Sequence, residues 1–430
     1  MATKRPGDRT RRPSERPERA GNSLETRAEL PIWPEMVVGG KHVRRLEKLI
    51  GELREEDAHG NRELFLDDVF IAYLLAFFNP SVRSLRTIED FSQTKQAQKH
   101  LSIPKLCKST VSDFNKLADP TRLQPIIDHL RREILKPGRG RPTNSLESLH
   151  RQVLAVDGTF LHAAADVVWA IRRRGSKNGA RLDFQVDVNT WLPECLVLGG
   201  PDDSEAKNAA DTITPGAIHL YDRGIFSFDL VEAHNNADFV MRIRESGERC
   251  PKFLATKERK ITASARKAGV VSDRIGYLAG SHNHKAPKAL LREVIIIPPD
   301  DPASPNRSKE PVRLLTNLLD LEAEIIGVLY RHRWQVELFF RWLKCYARFD
   351  HLISENREGV LLSFYVAIIA VTLMHLHTGY RPSKYLFSLM SLVASGSAEM
   401  EEIMPILRER ERRNKLERDR LARKRAETNE

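Results

Sequence analysis

The stretch "YRHRWQVELFFRWLK", Tyr330 to Lys344, has no Gly or Pro and sets a single acid, Glu337, among basic and large apolar side chains. At about 100° per residue it predicts a continuous helix. Tyr330, Arg333, Glu337, Arg341 and Lys344 then fall within roughly 80° of one another, while Val336, Phe339, Trp342 and Leu343 lie on the other side. The apolar side is buried. The polar side carries either water, with Glu337 paired to Arg341 at i,i+4, or chemistry.

Two further acids bear on that choice. Asp157 in "LAVDGTF" and Asp222 in "IHLYDRGIF" each follow an apolar run that reads as a strand. A carboxylate at the lip of a sheet is held by buried backbone yet points into a cleft, which is how α/β folds place functional groups. Either alone also reads as a simple Asp-Gly-type turn. Together with Glu337 they form an all-oxygen set, suited to Mg²⁺ or Mn²⁺ and poorly suited to zinc. A pair of such ions, about 4 Å apart, serves in-line displacement at a phosphodiester and needs no protein nucleophile. The cations beside Glu337 then read as phosphate contacts.

The spacing Tyr, two residues, Arg, three residues, Glu, six residues, Lys is met by Tyr330, Arg333, Glu337 and Lys344. It resembles the signature of the insertion sequence 4 family of bacterial DDE transposases, and "VDGT" and "DRGIFS" resemble that family's first and second acidic motifs, in the same order. Ile225 departs from the pattern, since the family often has an aromatic residue after "DRG". The resemblance implies an RNase H-like mixed sheet core interrupted by a β-rich insertion, and the 115 positions from Asp222 to Glu337 leave room for one. It also implies a helical N-terminal region that binds element ends, and dimerisation through C-terminal helices. By carry-over Asp157, Asp222 and Glu337 hold the metals and do the catalysis, and Tyr330, Arg333 and Lys344, with Arg341 beside them, contact DNA. Cut-and-paste strand transfer is the activity implied. A metal-dependent nuclease and a domesticated DNA-binding relative remain open on the residues alone.

The rest of the chain fits around this centre. Its 430 residues and 41% hydrophobic content support a substantial core. The net charge of +11 suggests a polyanionic partner, yet residues 1–24 and 408–430 carry about +4 each and leave only +3 for the body. Four separated cysteines, Cys107, Cys195, Cys250 and Cys345, lack zinc-site spacing and read as thiols in a reducing compartment. "SHNHKAPK" and "MHLHTGY" each offer two histidines and no matching third ligand. Without an apolar leader, and with the apolar run "VLLSFYVAIIAVTLM" only fifteen residues long, a cytoplasmic protein with a buried helix is expected. "RRRG" at Arg172 reads equally as a DNA groove or a solvated turn. Trp334 borders the charged face, where it could stack on an unpaired base.

Patterning divides the chain into a disordered basic tail (1–30), a helical N-terminal region (31–140) closed by the Pro- and Gly-rich linker "KPGRGRPTNS", and an α/β core (148–350). The core begins β-β-β-α-β and carries a β-rich insertion at about 246–318. C-terminal helices (351–405) and a charged tail (406–430) follow.

Overall fold

The computed structural model of the chain describes residues 46–55, 64–79, 82–98, 105–136, 146, 149–161, 180–200, 203–247, 250–280, 285–298, 310–339, 353–380, 383–394 and 396–428. The N-terminal tail, most of the linker, the "RRRG" segment, His282 and His284, and Arg341, Trp342, Lys344 and Cys345 lie outside the described residues.

The N-terminal part is helical: α1 (Glu47–Glu55), α2 (Leu66–Phe78), α3 (Leu85–Ser92), α4 (Lys95–Gln98), α5 (Lys108–Leu117) and α6 (Gln124–Leu135). Helix α2 is apolar nearly all round and correspondingly buried. Its first-turn acids, Asp67 and Asp68, complement the helix dipole and accept from Arg54 at 2.9 and 3.0 Å, so neither is buried unpaired. Ser84 and Thr87 close a reciprocal cap on α3.

The sheet follows, built from β1 (Val153–Leu161), β2 (Ala180–Asp187), β3 (Pro193–Gly199), then helix α7 (Glu205–Asp211), β4 (Ile218–Tyr221), helix α8 (Phe228–Ala233) and β5 (Asp238–Ile243). This is the β-β-β-α-β order that the alternating apolar runs predict. Beyond it come β6 (Phe253–Glu258), α9 (Ala263–Lys267), β7 (Val270–Leu278), β8 (Leu291–Ile296) and β9 (Val312–Thr316). The described strands form one nine-stranded mixed sheet, ordered β3-β2-β1-β4-β5-β9-β8-β7-β6. The β1–β4 and β4–β5 pairs are parallel and the others antiparallel. The inserted strands extend the same sheet: β9 returns from them to pair with β5 and delivers the chain to the next helix.

That helix, α10 (Ala323–His332), is followed by a second helical stretch at 334–339, then α11 (Arg357–Thr378), α12 (Lys384–Ala394) and α13 (Met400–Thr428). The expectation of one unbroken helix from Tyr330 onward is corrected here. The ladder tightens at Arg333, whose amide donates to Tyr330 O at 3.0 Å and whose carbonyl accepts from Val336 N at 3.1 Å, a three-residue spacing.

Helix α11 has 22 residues, longer than its apolar run because Asn356 caps its start and Gly379, at φ 75°, ends it in the left-handed region. By length and composition it is long and apolar enough to cross a membrane, yet 78% of its most apolar window is buried within the protein. It packs against α2, α5 and α6, and one apolar cluster runs from Leu46 through the sheet to Leu407.

The loop between β9 and α10 is held electrostatically. Arg292 is 1% exposed, donates to both oxygens of Asp273 at 2.8 Å, and reaches the carbonyls of Leu318, Leu319 and Leu321. Buried Glu293 is paired in turn with Arg274 and Arg313. Breaking a buried pair from one side leaves an uncompensated charge, at a cost of about 3–5 kcal/mol. Arg292→Met is therefore expected to lower unfolding free energy by about that amount in urea denaturation, and a loss under about 1 kcal/mol would show that the pair does not anchor the loop.

Candidate active site

Val156 of β1 stands in register with Tyr221 of the parallel strand β4. The next residues are Asp157, which stands mid-strand in β1 rather than at its expected end because the pairing with β2 carries the strand on to Leu161, and Asp222, just past the end of β4; the sheet itself brings the two acids side by side. On β2 the residue opposite Asp157 is Phe184. Directly paired residues share a face, and Phe184 meets Phe339 edge-to-face with ring centroids at 5.6 Å and Phe364 of α11 at 6.3 Å. Val336 and Phe339 are buried. Burying this apolar side lays the 334–339 segment over the sheet beside Asp157 and turns Glu337 toward it.

All three acids meet one cation. The Arg333 guanidinium places Nη1 3.4 Å from Asp157 Oδ2, Nε 3.9 Å from Asp222 Oδ1 and Nη2 2.5 Å from Glu337 Oε1. The Tyr330 hydroxyl donates to Asp222 Oδ1 at 3.1 Å. On the polar side of the Tyr330 helix, Glu337 pairs with Arg333, one turn earlier. Tyr330 and Arg333, expected as DNA contacts, both point into the acid cluster in this arrangement, and the Arg333 side chain is only 10% exposed.

Asp157 is largely buried while Asp222 is the most open of the three. Burial pushes the Asp157 carboxyl up to about 7; Glu205 and Asp222 push the same way, against Arg333 and the Gly158 amide. Burial first, then the Asp222 charge, also raises the Tyr330 phenol.

Gly158 shows how tightly the sheet is filled behind the site. A Cβ there would stand 2.3 Å from Asp183 Oδ1 and 2.8 Å from Glu205 Oε1. Those acids belong to a network in which Arg181 pairs with Asp183 and Glu205 and Asn208 donates to Asp183 at 2.6 Å. The "DG" that reads as a turn is mid-strand, and its glycine answers a close approach.

Sequence reasoning missed this network and a second support. Trp191, in the β2–β3 turn at φ 62°, donates its indole N–H to Gln335 Oε1 at 2.6 Å. A non-glycine residue in the left-handed region is costly, and here it fixes the side of the helical stretch away from Glu337. Only the Asp-Asn-Thr turn chemistry around it was visible locally: Asp187 Oδ1 accepts from the amides of Asn189 and Thr190. Ile225 is 1% exposed and packs in the cluster with Tyr221 and Leu230, so this departure from the family pattern sits in the core. Trp334 is half exposed beside the site.

The donor set is hard oxygen, and one guanidinium faces three carboxylates, which leaves the cluster negative when all ionise. That chemistry fits a hard divalent cation. Among the described residues, no three His, Cys, Asp or Glu side chains stand close enough to share an ion directly as arranged, because the guanidinium lies between the acids.

Fold and site together define an α/β protein with a three-carboxylate cluster where the parallel pairing of β1 and β4 ends. The chain belongs to the transposase DDE domain family, which it matches over residues 148–373, just over half its length. It is 24% identical over 222 residues to transposase y4zB of Sinorhizobium fredii, covering 51% of this chain and 59% of that one. It is 22% identical over 281 residues to the transposase of insertion sequence element IS4SA of a Synechocystis species, covering 62% and 71%. The chain thus spans under two thirds of the first relative and somewhat more of the second. A solved piggyBac transposase synaptic complex with hairpin DNA aligns with a TM-score of 0.39 at 12% identity, over 87% of this chain and 80% of that one.

The raised carboxyl makes a pH prediction. Asp157 binds its proton more tightly folded, near 7, than at its ordinary 3.8, so its contribution to stability is full below 3.8 and lost as pH rises through 7. Without divalent ions, Asp157→Asn is expected to melt near wild type at pH 4 and increasingly above it toward pH 8, by an amount equivalent to a few kcal/mol. A constant difference across that range would contradict the burial of an ionised carboxylate.

Proposed function

We propose that this protein is a DNA transposase of the insertion sequence 4 type, acting in the cytoplasm on double-stranded DNA at element ends and target. The observation that carries the reading is the convergence of Asp157, Asp222 and Glu337 on one point, within the family-matched region. The strand order β3-β2-β1-β4-β5, with β1 and β4 parallel and the outer hairpins antiparallel, supports an RNase H-like core lengthened by its insertion.

In this reading Asp157, Asp222 and Glu337 hold Mg²⁺ or Mn²⁺, two ions in all. Such ions, when bound, supply a stronger oxygen nucleophile at neutral pH and offset charge on the phosphodiester. The chain's own part is to hold three carboxylates rigid and partly dry. Tyr330 orients Asp222 through its hydroxyl, and the buried Val336 and Phe339 fix the helical stretch that bears Glu337. Arg341 and Lys344 are assigned to DNA phosphates, with Tyr330 and Arg333 nearest the reacting centre, and Trp334 to an unpaired base. Two copies pair for synapsis, and the helical N-terminal region grips the element ends.

The test is strand cleavage by the full chain on DNA bearing the element's own ends, with and without Mg²⁺. Glu337→Gln should lose more than the ~10–100-fold that follows loss of a residue merely supporting a metal ligand, with DNA binding retained. Cleavage by the variant at wild-type rates would remove Glu337 from the chemistry. Cleavage without joining of 3′-OH ends to target DNA would make the protein a nuclease.

A further inference from the structure

Arg333 is the residue that a phosphate contact explains least. Its guanidinium is nearly enclosed and divided among three acids through three different nitrogens, Nη1, Nε and Nη2. We propose that Arg333 occupies the ground that the divalent cations take: it assembles the three carboxylates into one cluster and yields them when the ions bind. The inference rests on the metal-site reading above and deepens it.

Carboxylates drawn together in a half-buried site repel, and a charge left buried without a partner is strongly destabilising. Arginine is suited to hold them, because its fork is planar, always charged and less strongly hydrated than an ammonium.

The contacts are also of unequal strength. Only the one to Glu337 is close; those to Asp157 and Asp222, at 3.4 and 3.9 Å, are long ion-pair distances. Arg333 thus holds two of the three acids only loosely, Asp157 by a hydrogen bond at the long limit and Asp222 by an ion pair without one, and a divalent cation in direct oxygen contact exceeds both.

Finally, exchange needs no movement of the backbone. Val336 and Phe339 are buried beneath the helical stretch, and Trp191 is bonded to Gln335 on the side away from the acids. With the segment so fixed, Arg333 withdraws by rotating its own side chain, and Glu337 keeps its place.

The prediction is a competition, read as Mn²⁺ binding by calorimetry at pH 8 on the full chain. Arg333→Gln should bind Mn²⁺ at least about fivefold tighter than wild type, the low end of coupled binding, while melting lower when no divalent ion is present. Arg333→Lys keeps the charge on a single ammonium that cannot span three acids, and should fall between the two; it carries the test if the glutamine variant does not fold. A structural prop or a phosphate contact behaves otherwise, since its loss leaves Mn²⁺ affinity unchanged or weaker. That result, with Asp157→Asn having lost Mn²⁺ binding, would overturn the exchange and leave the metal site standing. Mn²⁺ binding undiminished in Asp157→Asn would instead overturn the metal site itself.

Discussion

Three carboxylates carried by separate elements repel one another, and the structure around them keeps all three within reach of a single guanidinium. Parallel pairing of β1 and β4, with Val156 beside Tyr221, brings Asp157 and Asp222 together through backbone register alone. Glu337 reaches them because its helical stretch buries Val336 and Phe339 on the sheet, where Phe184 and Phe364 make the aromatic seat. Arg333 then supplies the charge that makes the arrangement affordable in a place where burial has pushed Asp157 up to about 7.

That geometry depends on parts of the chain remote from the acids. The inserted strands continue the core sheet, and β9 hands the chain to α10 through a loop whose carbonyls are held by Arg292. Asn317 adds to this hold: it accepts from Phe239 N at 2.9 Å and donates to Ala237 O at 3.0 Å. The direction in which α10 leaves the sheet, and hence the position of Arg333 and Glu337, is set by these contacts. An insertion that reads as an appendage in the sequence therefore takes part in building the site.

Much of this was legible beforehand, for local reasons. The acids follow short apolar runs, and the first four strands with the helix before β4 announce themselves by short apolar runs and turn residues. What escaped depends on distance along the chain. Nothing near Trp191 signals a partner 144 residues later. The pairing of β5 with β9 links runs that local pattern cannot connect. The Tyr330 to Lys344 stretch has uniform helical periodicity, so its tightening at Arg333 was hidden; the same residue is drawn toward acids on β1 and beyond β4, and tertiary attraction overrides local preference there. Helix α11 outgrew its apolar run because capping by Asn356 and Gly379, rather than hydropathy, marks its ends.

The most direct test is a crystal of the protein soaked in Mn²⁺ and measured at the manganese absorption edge. The account predicts anomalous density bounded by Asp157, Asp222 and Glu337, with the Arg333 side chain turned away from it. Saturating Mn²⁺ that leaves no density among those three carboxylates, with Arg333 still spanning them, would contradict it.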